Sequence, residues 1–172
     1  TITTGDLTLD AAGIFSSAAF DWNHPNPTLT GRAGNLEIAV HGHANLANGA
    51  RIASETYTAG AAGNIVFDAG VLALTNDAYI SSSTYAVGNA GNVSVTADTA
   101  RFEGVEGQVT GLFSQANFGS GHAGSITLTV AGLLELLRVA QISSSTYASG
   151  NAGNVTITTG DLTLDAAGIF SS

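Results

Sequence analysis

Apolar and polar residues alternate in short runs that recur along the whole chain. Leu36 and Ile38, Ile65 and Phe67, Val93 and Val95, Ile126 and Leu128, and Val155 and Ile157 are apolar pairs two residues apart. A period of two with β-branched enrichment marks a strand, because successive side chains leave opposite faces. A second pair follows each time: Leu7 with Leu9, Ala44 with Leu46, Leu72 with Leu74, Ala100 with Phe102, Leu134 with Leu136. Ile14, Ile52, Ile80, Leu112 and Ile142 then mark a third short strand. Three strands per segment, repeated, predict an all-β chain wound as a parallel β-helix with three strands per coil.

A small-Gly-Asn signal separates the segments. It occurs as Ala33-Gly34-Asn35, Ala62-Gly63-Asn64, Ala90-Gly91-Asn92 and Ala152-Gly153-Asn154, with Ala123-Gly124-Ser125 as a variant. Successive glycines are 29, 28, 33 and 29 residues apart. A longer period overlies this one: Thr156 to Ser172 repeats Thr1 to Ser17 without a substitution, at an offset of 155 residues. Carried through that offset, the step from Gly153 to the next Gly34 is 36, and the five steps sum to 155. The expected organisation is one solenoid repeat of about five coils over residues 1–155, with 156–172 beginning the next identical repeat.

The stretch Gly132 to Gln141 (GLLELLRVAQ) has a helical composition. Aligned to its neighbours, however, Leu134, Leu136, Ala140 and Ile142 fall at the offsets of Leu72, Leu74, Ala78 and Ile80, so a strand is expected there too. Stacking the coils puts like on like. Ser16, Ser54, Ser82, Ser114 and Ser144 form one row and Asn35, Asn64, Asn92 and Asn154 another, interrupted by Ser125. Aromatic residues form a third, Phe20, Tyr57, Tyr85, Phe118 and Tyr147. Glycine at the corner is expected to supply a positive φ, and stacked Asn amides to hydrogen-bond along the axis. Two coils carry insertions, Ala18 to Ala33, with Phe20, Trp22, His24 and Arg32, and Glu103 to Gly111. Insertions in solenoids map to surface loops, where specificity would reside.

Composition narrows the function classes. There are 13 acidic residues against four Arg and no Lys, a formal net charge of −9, so binding to nucleic acid or an anionic membrane is not expected. The chain has no cysteine, hence no disulfide or thiolate metal site. It has no apolar run of about 18 residues, so no transmembrane helix is expected.

The phrases ISSSTYAVGNAGNVSV (Ile80 to Val95) and ISSSTYASGNAGNVTITTGDLTL (Ile142 to Leu164) resemble the repeats of filamentous-haemagglutinin-like exoproteins of the two-partner secretion route, the haemagglutination-activity-domain proteins. The resemblance covers the chain and is weakest in the two insertions. It implies a right-handed β-helix, export through an outer-membrane secretion partner, and a secreted or cell-surface adhesive or structural role. The family's amino-terminal NPNG-type motif has no match here, since His24-Pro25-Asn26-Pro27 departs from it.

No recognisable chemistry competes with that expectation. His41 and His43 could face a metal together, but no carboxylate stands at ligand spacing, and Asp21, Asn23 and Asn26 lack the glycine and terminal Glu of a calcium loop. Asp6, Asp10, Asp68 and Asp98, and Glu103 and Glu106 beside Arg101, show no catalytic spacing. The residues therefore predict no enzyme, no metal and no cofactor. They predict a structural repeat of an extracellular or cell-surface filament, whose partners are neighbouring repeats end to end, with lateral fibre contacts or surface glycans besides. The alternative is an adhesin module that binds a glycan or surface through the loop of Phe20, Trp22, His24 and Arg32.

Overall fold

The computed structural model describes residues 1–18, 28–147 and 149–172. Within them the chain is all-β, with thirteen strands in two parallel sheets wound as a solenoid of about five turns. Each full coil supplies one long and one short strand. The long strands are β4 (Leu36–Ala47), β6 (Ile65–Thr75), β8 (Val93–Glu103), β10 (Ile126–Leu137) and β12 (Val155–Asp165). The short ones are β5 (Arg51–Thr56), β7 (Tyr79–Thr84), β9 (Gly111–Ala116), β11 (Gln141–Thr146) and β13 (Gly168–Ser171). The first coil is written as three strands, β1 (Ile2–Thr4), β2 (Leu7–Asp10) and β3 (Gly13–Ala18).

The long-strand sheet runs β1-β4-β6-β8-β10-β12, with β2 also on β4, and the short-strand sheet runs β3-β5-β7-β9-β11-β13. Each strand therefore pairs with the strand one coil away, 27 to 38 residues distant in sequence. The three sides expected of a coil are present, but the first two are one continuous bent strand in every coil after the first. The bend falls beside Gly42 and Gly132, where the register shifts between Val40 and His43 and between Val130 and Leu133. A Cβ on Gly42 would meet Asp6 Oδ1 and the Gly5 carbonyl at 2.3 and 3.0 Å, so a side chain there would push the coils apart. Glycine lets the ladder continue around the corner instead of stopping at it.

The core is a set of straight rows. Ile2, Ile38, Phe67, Val95, Leu128 and Ile157 share one register position, and Ile14, Ile52, Ile80, Leu112, Ile142 and Ile169 another. Phe67, Phe102, Leu72, Leu74, Leu128 and Ile126 are among the largest fully buried side chains, each contributing about 1.5–3 kcal/mol of burial. The helix-like stretch obeys the array. Leu134 and Leu136 pair with Ala100 and Phe102 on one side and with Leu162 and Leu164 on the other. Arg138 and Val139 turn the chain at φ of 49° and 60°, values that no α-helix accepts.

Candidate functional site

The third corner, where the chain leaves a short strand and returns to the next long one, carries the residue rows picked out by sequence. Each buried serine hydroxyl there joins two corner glycines of successive coils. Ser82 Oγ donates to the Gly63 carbonyl at 2.8 Å and accepts from the Gly91 N–H at 2.9 Å. Ser54 does the same between Gly34 and Gly63, Ser114 between Gly91 and Gly124, and Ser144 between Gly124 and Gly153. Ser16 accepts from the Gly34 N–H, and Ser171 donates to the Gly153 carbonyl. At Gly63, Gly91 and Gly124 these groups are buried away from water, so the hydroxyl is the partner that both otherwise lack.

The asparagine row lies on the exposed side of the same corner, and its bonds differ from the expected amide-to-amide chain. Asn35 Oδ1 accepts from the Asn64 backbone N–H at 2.8 Å, Asn64 from that of Asn92 and Asn92 from that of Ser125. Ser125 Oγ then accepts from the Asn154 N–H at 3.2 Å. The reason is geometric: the corner backbone points an N–H along the axis that the sheet ladder leaves unpaired, and the side-chain oxygen below it is the nearest acceptor. A parallel row, unforeseen from the sequence, uses Asn89 Oδ1 for the His122 N–H and His122 Nδ1 for the Asn151 N–H.

The corner glycines do not supply positive φ, contrary to expectation. Left-handed backbone is found at Ala11, Asn48, Asn76, Asp77, Arg138, Val139 and Ala166 of the second corner, and among glycines only at Gly49, Gly107, Gly111 and Gly119. The third-corner glycines serve close approach. A Cβ on Gly63, Gly91, Gly124 or Gly153 would lie 2.2 Å from the carbonyl oxygen of the preceding coil's glycine. A second column three residues earlier, Gly60, Gly88, Gly121 and Gly150, is as tight, with 1.9 or 2.0 Å to the carbonyl below. The signal for it was present in the sequence as the extended phrase Gly-x-Ala-Gly-Asn/Ser.

The aromatic row is broken. Tyr57 and Tyr85 stack with centroids 4.7 Å apart and planes 6° from parallel. In the next coil Asn117 holds the equivalent place, since its N–H bonds to the Thr84 carbonyl as that of Tyr85 does to Thr56. Phe118 follows one residue later and is exposed, and Tyr147, two coils beyond Tyr85, is 70% exposed. An aromatic ladder needs a ring in each consecutive coil, and the side chain of Asn117 interrupts it. Of the expected contact loop, Phe20, Trp22 and His24 lie outside the described residues, and Arg32 is exposed.

Other candidate residues take structural partners. His41 and His43 are exposed on either side of the bend at Gly42, and no group of three or more His, Asp or Glu among the described residues could hold a metal ion. Asp6 Oδ1 accepts from the His43 N–H, and Asp10 from Asn48 Nδ2, which begins a polar row continued by Asn76. Arg101 pairs with Glu103 at 2.8 Å and Glu135 at 3.1 Å, and Arg138 pairs with Glu103 at 2.9 Å. These bonds to guanidinium hold the Glu103 carboxyl below the usual range.

The outer face of the short-strand sheet, not singled out by the sequence, carries the densest side-chain chemistry. Arg51 stacks over Tyr79 at 5.2 Å from its centroid, and Tyr79 meets Phe113 edge to face at 6.1 Å. Glu55, only 4% exposed, accepts from the Tyr57 hydroxyl at 3.1 Å. Burial raises the Glu55 carboxyl above its ordinary value, against the opposing pull of that hydrogen bond and of Arg51. Burial likewise pushes the Tyr79 phenol up to about 12, and raises those of Tyr57 and Tyr85. Facing positions are complementary in size. Where Gly13 precedes Phe15 the ring lies back over the glycine, whereas Arg51 and Tyr79 are followed two residues on by Ala53 and Ser81. The chain matches no protein-family model, no curated protein and no solved structure.

Proposed function

We propose that the chain is a structural repeat of an extracellular or cell-surface filament, stacking coil on coil into a stiff β-solenoid rod. The observation that carries this reading is the 155-residue repeat set into the rows of the solenoid. Ile2 and Ile157 belong to one core row, as do Ile14 and Ile169, so the repeated segment recurs in phase with the coils. A repeat in phase with the coils extends the stack indefinitely without a change of core, and each sheet edge is covered by the next repeat rather than left to aggregate. Buried serine and glycine columns at the third corner lock coils to one another at backbone distance, which suits a load-bearing rod. The resemblance of Ile80–Val95 and Ile142–Leu164 to filamentous-haemagglutinin-like repeats supports secretion through an outer-membrane partner and an adhesive or scaffolding setting.

Electron microscopy of the native material tests the reading. With strands about 4.8 Å apart, five coils advance about 24 Å along the axis. Fibres with both spacings are expected, and discrete globular particles would refute the proposal.

A further inference from the structure

On the outer face of the short-strand sheet, two adjoining recesses of about 320 and 260 Å³ share Arg51. Phe15 lines the first, and Tyr79, Tyr85 and Gln115 line the second. The insertion of coil four forms the far wall, held there by the Val109 N–H on Asp77 Oδ1 at 3.0 Å. The recesses run along the solenoid axis from β3 to β9, three strand intervals of about 4.8 Å or roughly 14 Å in all.

The lining has the two parts that a sugar requires. Phe15 is 50% exposed and lies over Gly13. The negatively polarised face of an aromatic ring attracts the C–H-bearing face of a pyranose, which is apolar. The polar groups that line the recesses beyond this ring have bonding capacity to spare. Among the described residues the Arg51 side chain makes no hydrogen bond or ion pair, yet its guanidinium is held over Tyr79. The Gln115 amide makes no hydrogen bond, and Asp77 Oδ2 accepts none. Donors, acceptors and a two-sided amide together match hydroxyl groups, each of which donates and accepts. Charge decides between neutral and acidic sugars. Arg51 is the one cation of the two recesses and shares them with Glu55 and Asp77, so the lining carries no net positive charge that would favour a carboxylate or sulfate over a neutral sugar.

We propose that this axial groove binds a neutral, linear oligosaccharide, with Phe15 as the stacking platform and Arg51, Asp77 and Gln115 as hydroxyl-binding groups. The inference concerns one chain and does not depend on filament formation.

The test is calorimetric titration of the 172-residue chain with cellohexaose, laminarihexaose and mannohexaose, with hexagalacturonate as the charged comparison. At least one neutral hexaose is expected to bind with a dissociation constant of about 1 mM or tighter. Phe15→Ala, Arg51→Ala and Gln115→Ala should each weaken it about tenfold, with circular dichroism unchanged. Phe15→Leu keeps apolar bulk over Gly13 but removes the ring, and should weaken binding as Phe15→Ala does. Absence of binding by all three neutral sugars, binding indifferent to these variants, or tighter binding of hexagalacturonate would each overturn the proposal. So would sugar-independent self-association abolished by Phe15→Ala, which would assign the groove to a second copy.

Discussion

Replacing Ser82 with alanine isolates the device that joins one coil to the next. Its hydroxyl is fully buried and bridges the Gly63 carbonyl and the Gly91 N–H at 2.8 and 2.9 Å. Alanine fits the site but leaves both backbone groups without a partner, each at a cost of about 1–3 kcal/mol. Part of that is offset because alanine has no hydroxyl to desolvate, so the expected loss is roughly 2–4 kcal/mol. Asn92→Ala is the internal comparison. It also removes a side-chain acceptor, from the Ser125 N–H at 2.8 Å, but on the exposed side of the same corner, where water replaces it. Its cost should be about 0.5–1 kcal/mol. Urea unfolding followed by far-ultraviolet circular dichroism gives both values as shifts in midpoint at unchanged slope. Hydrogen exchange at the Gly91 amide should accelerate in Ser82→Ala and stay unchanged in Asn92→Ala. Equal losses in the two variants, or a Gly91 amide as protected in Ser82→Ala as in the parent chain, would refute the reasoning.

Three further outcomes follow from the same geometry. Gly63→Ala puts a Cβ 2.2 Å from the Gly34 oxygen, a backbone atom that cannot swing aside, so this variant should lose more than about 3 kcal/mol or fail to fold, checked by soluble yield and circular dichroism. Burial raises the Glu55 carboxyl above 4.5, so the folded chain keeps that proton to higher pH than the unfolded chain. Stability from this site is therefore lost as pH rises from about 4.5 through the folded value, and Glu55→Gln should melt higher than the parent at pH 7 but not below pH 4.5, by calorimetry. The Arg101, Glu103, Glu135 and Arg138 network is largely exposed, so Arg101→Ala should cost less than about 1 kcal/mol and lose its effect in 1 M salt, by urea titration at two ionic strengths.

Residue order alone determined the three sides of each coil, the core and the coil count. Whether a side chain such as Leu134 or Ile80 faces inward is set by local alternation, and the Gly-Asn signals mark the coil corners, so the rows could be counted without coordinates. Even the helical composition of Gly132–Gln141 yielded to the offsets of its neighbours, because a parallel stack rewards only residues that continue its rows. What lies between coils was decided by the tertiary structure. Ser82 and Gly63, or Arg51 and Gln115, are brought together by register across coils of unequal length, and pairing depends on where each insertion is absorbed. The insertion before Gly111 leaves Asn117, not Phe118, in the aromatic row, an outcome settled by which N–H reaches Thr84. The corner glycines show the division most clearly. Their presence was legible, but the reason for them was not: sequence shows a residue without a side chain, and only the stack shows a carbonyl oxygen 2.2 Å from where that side chain would begin.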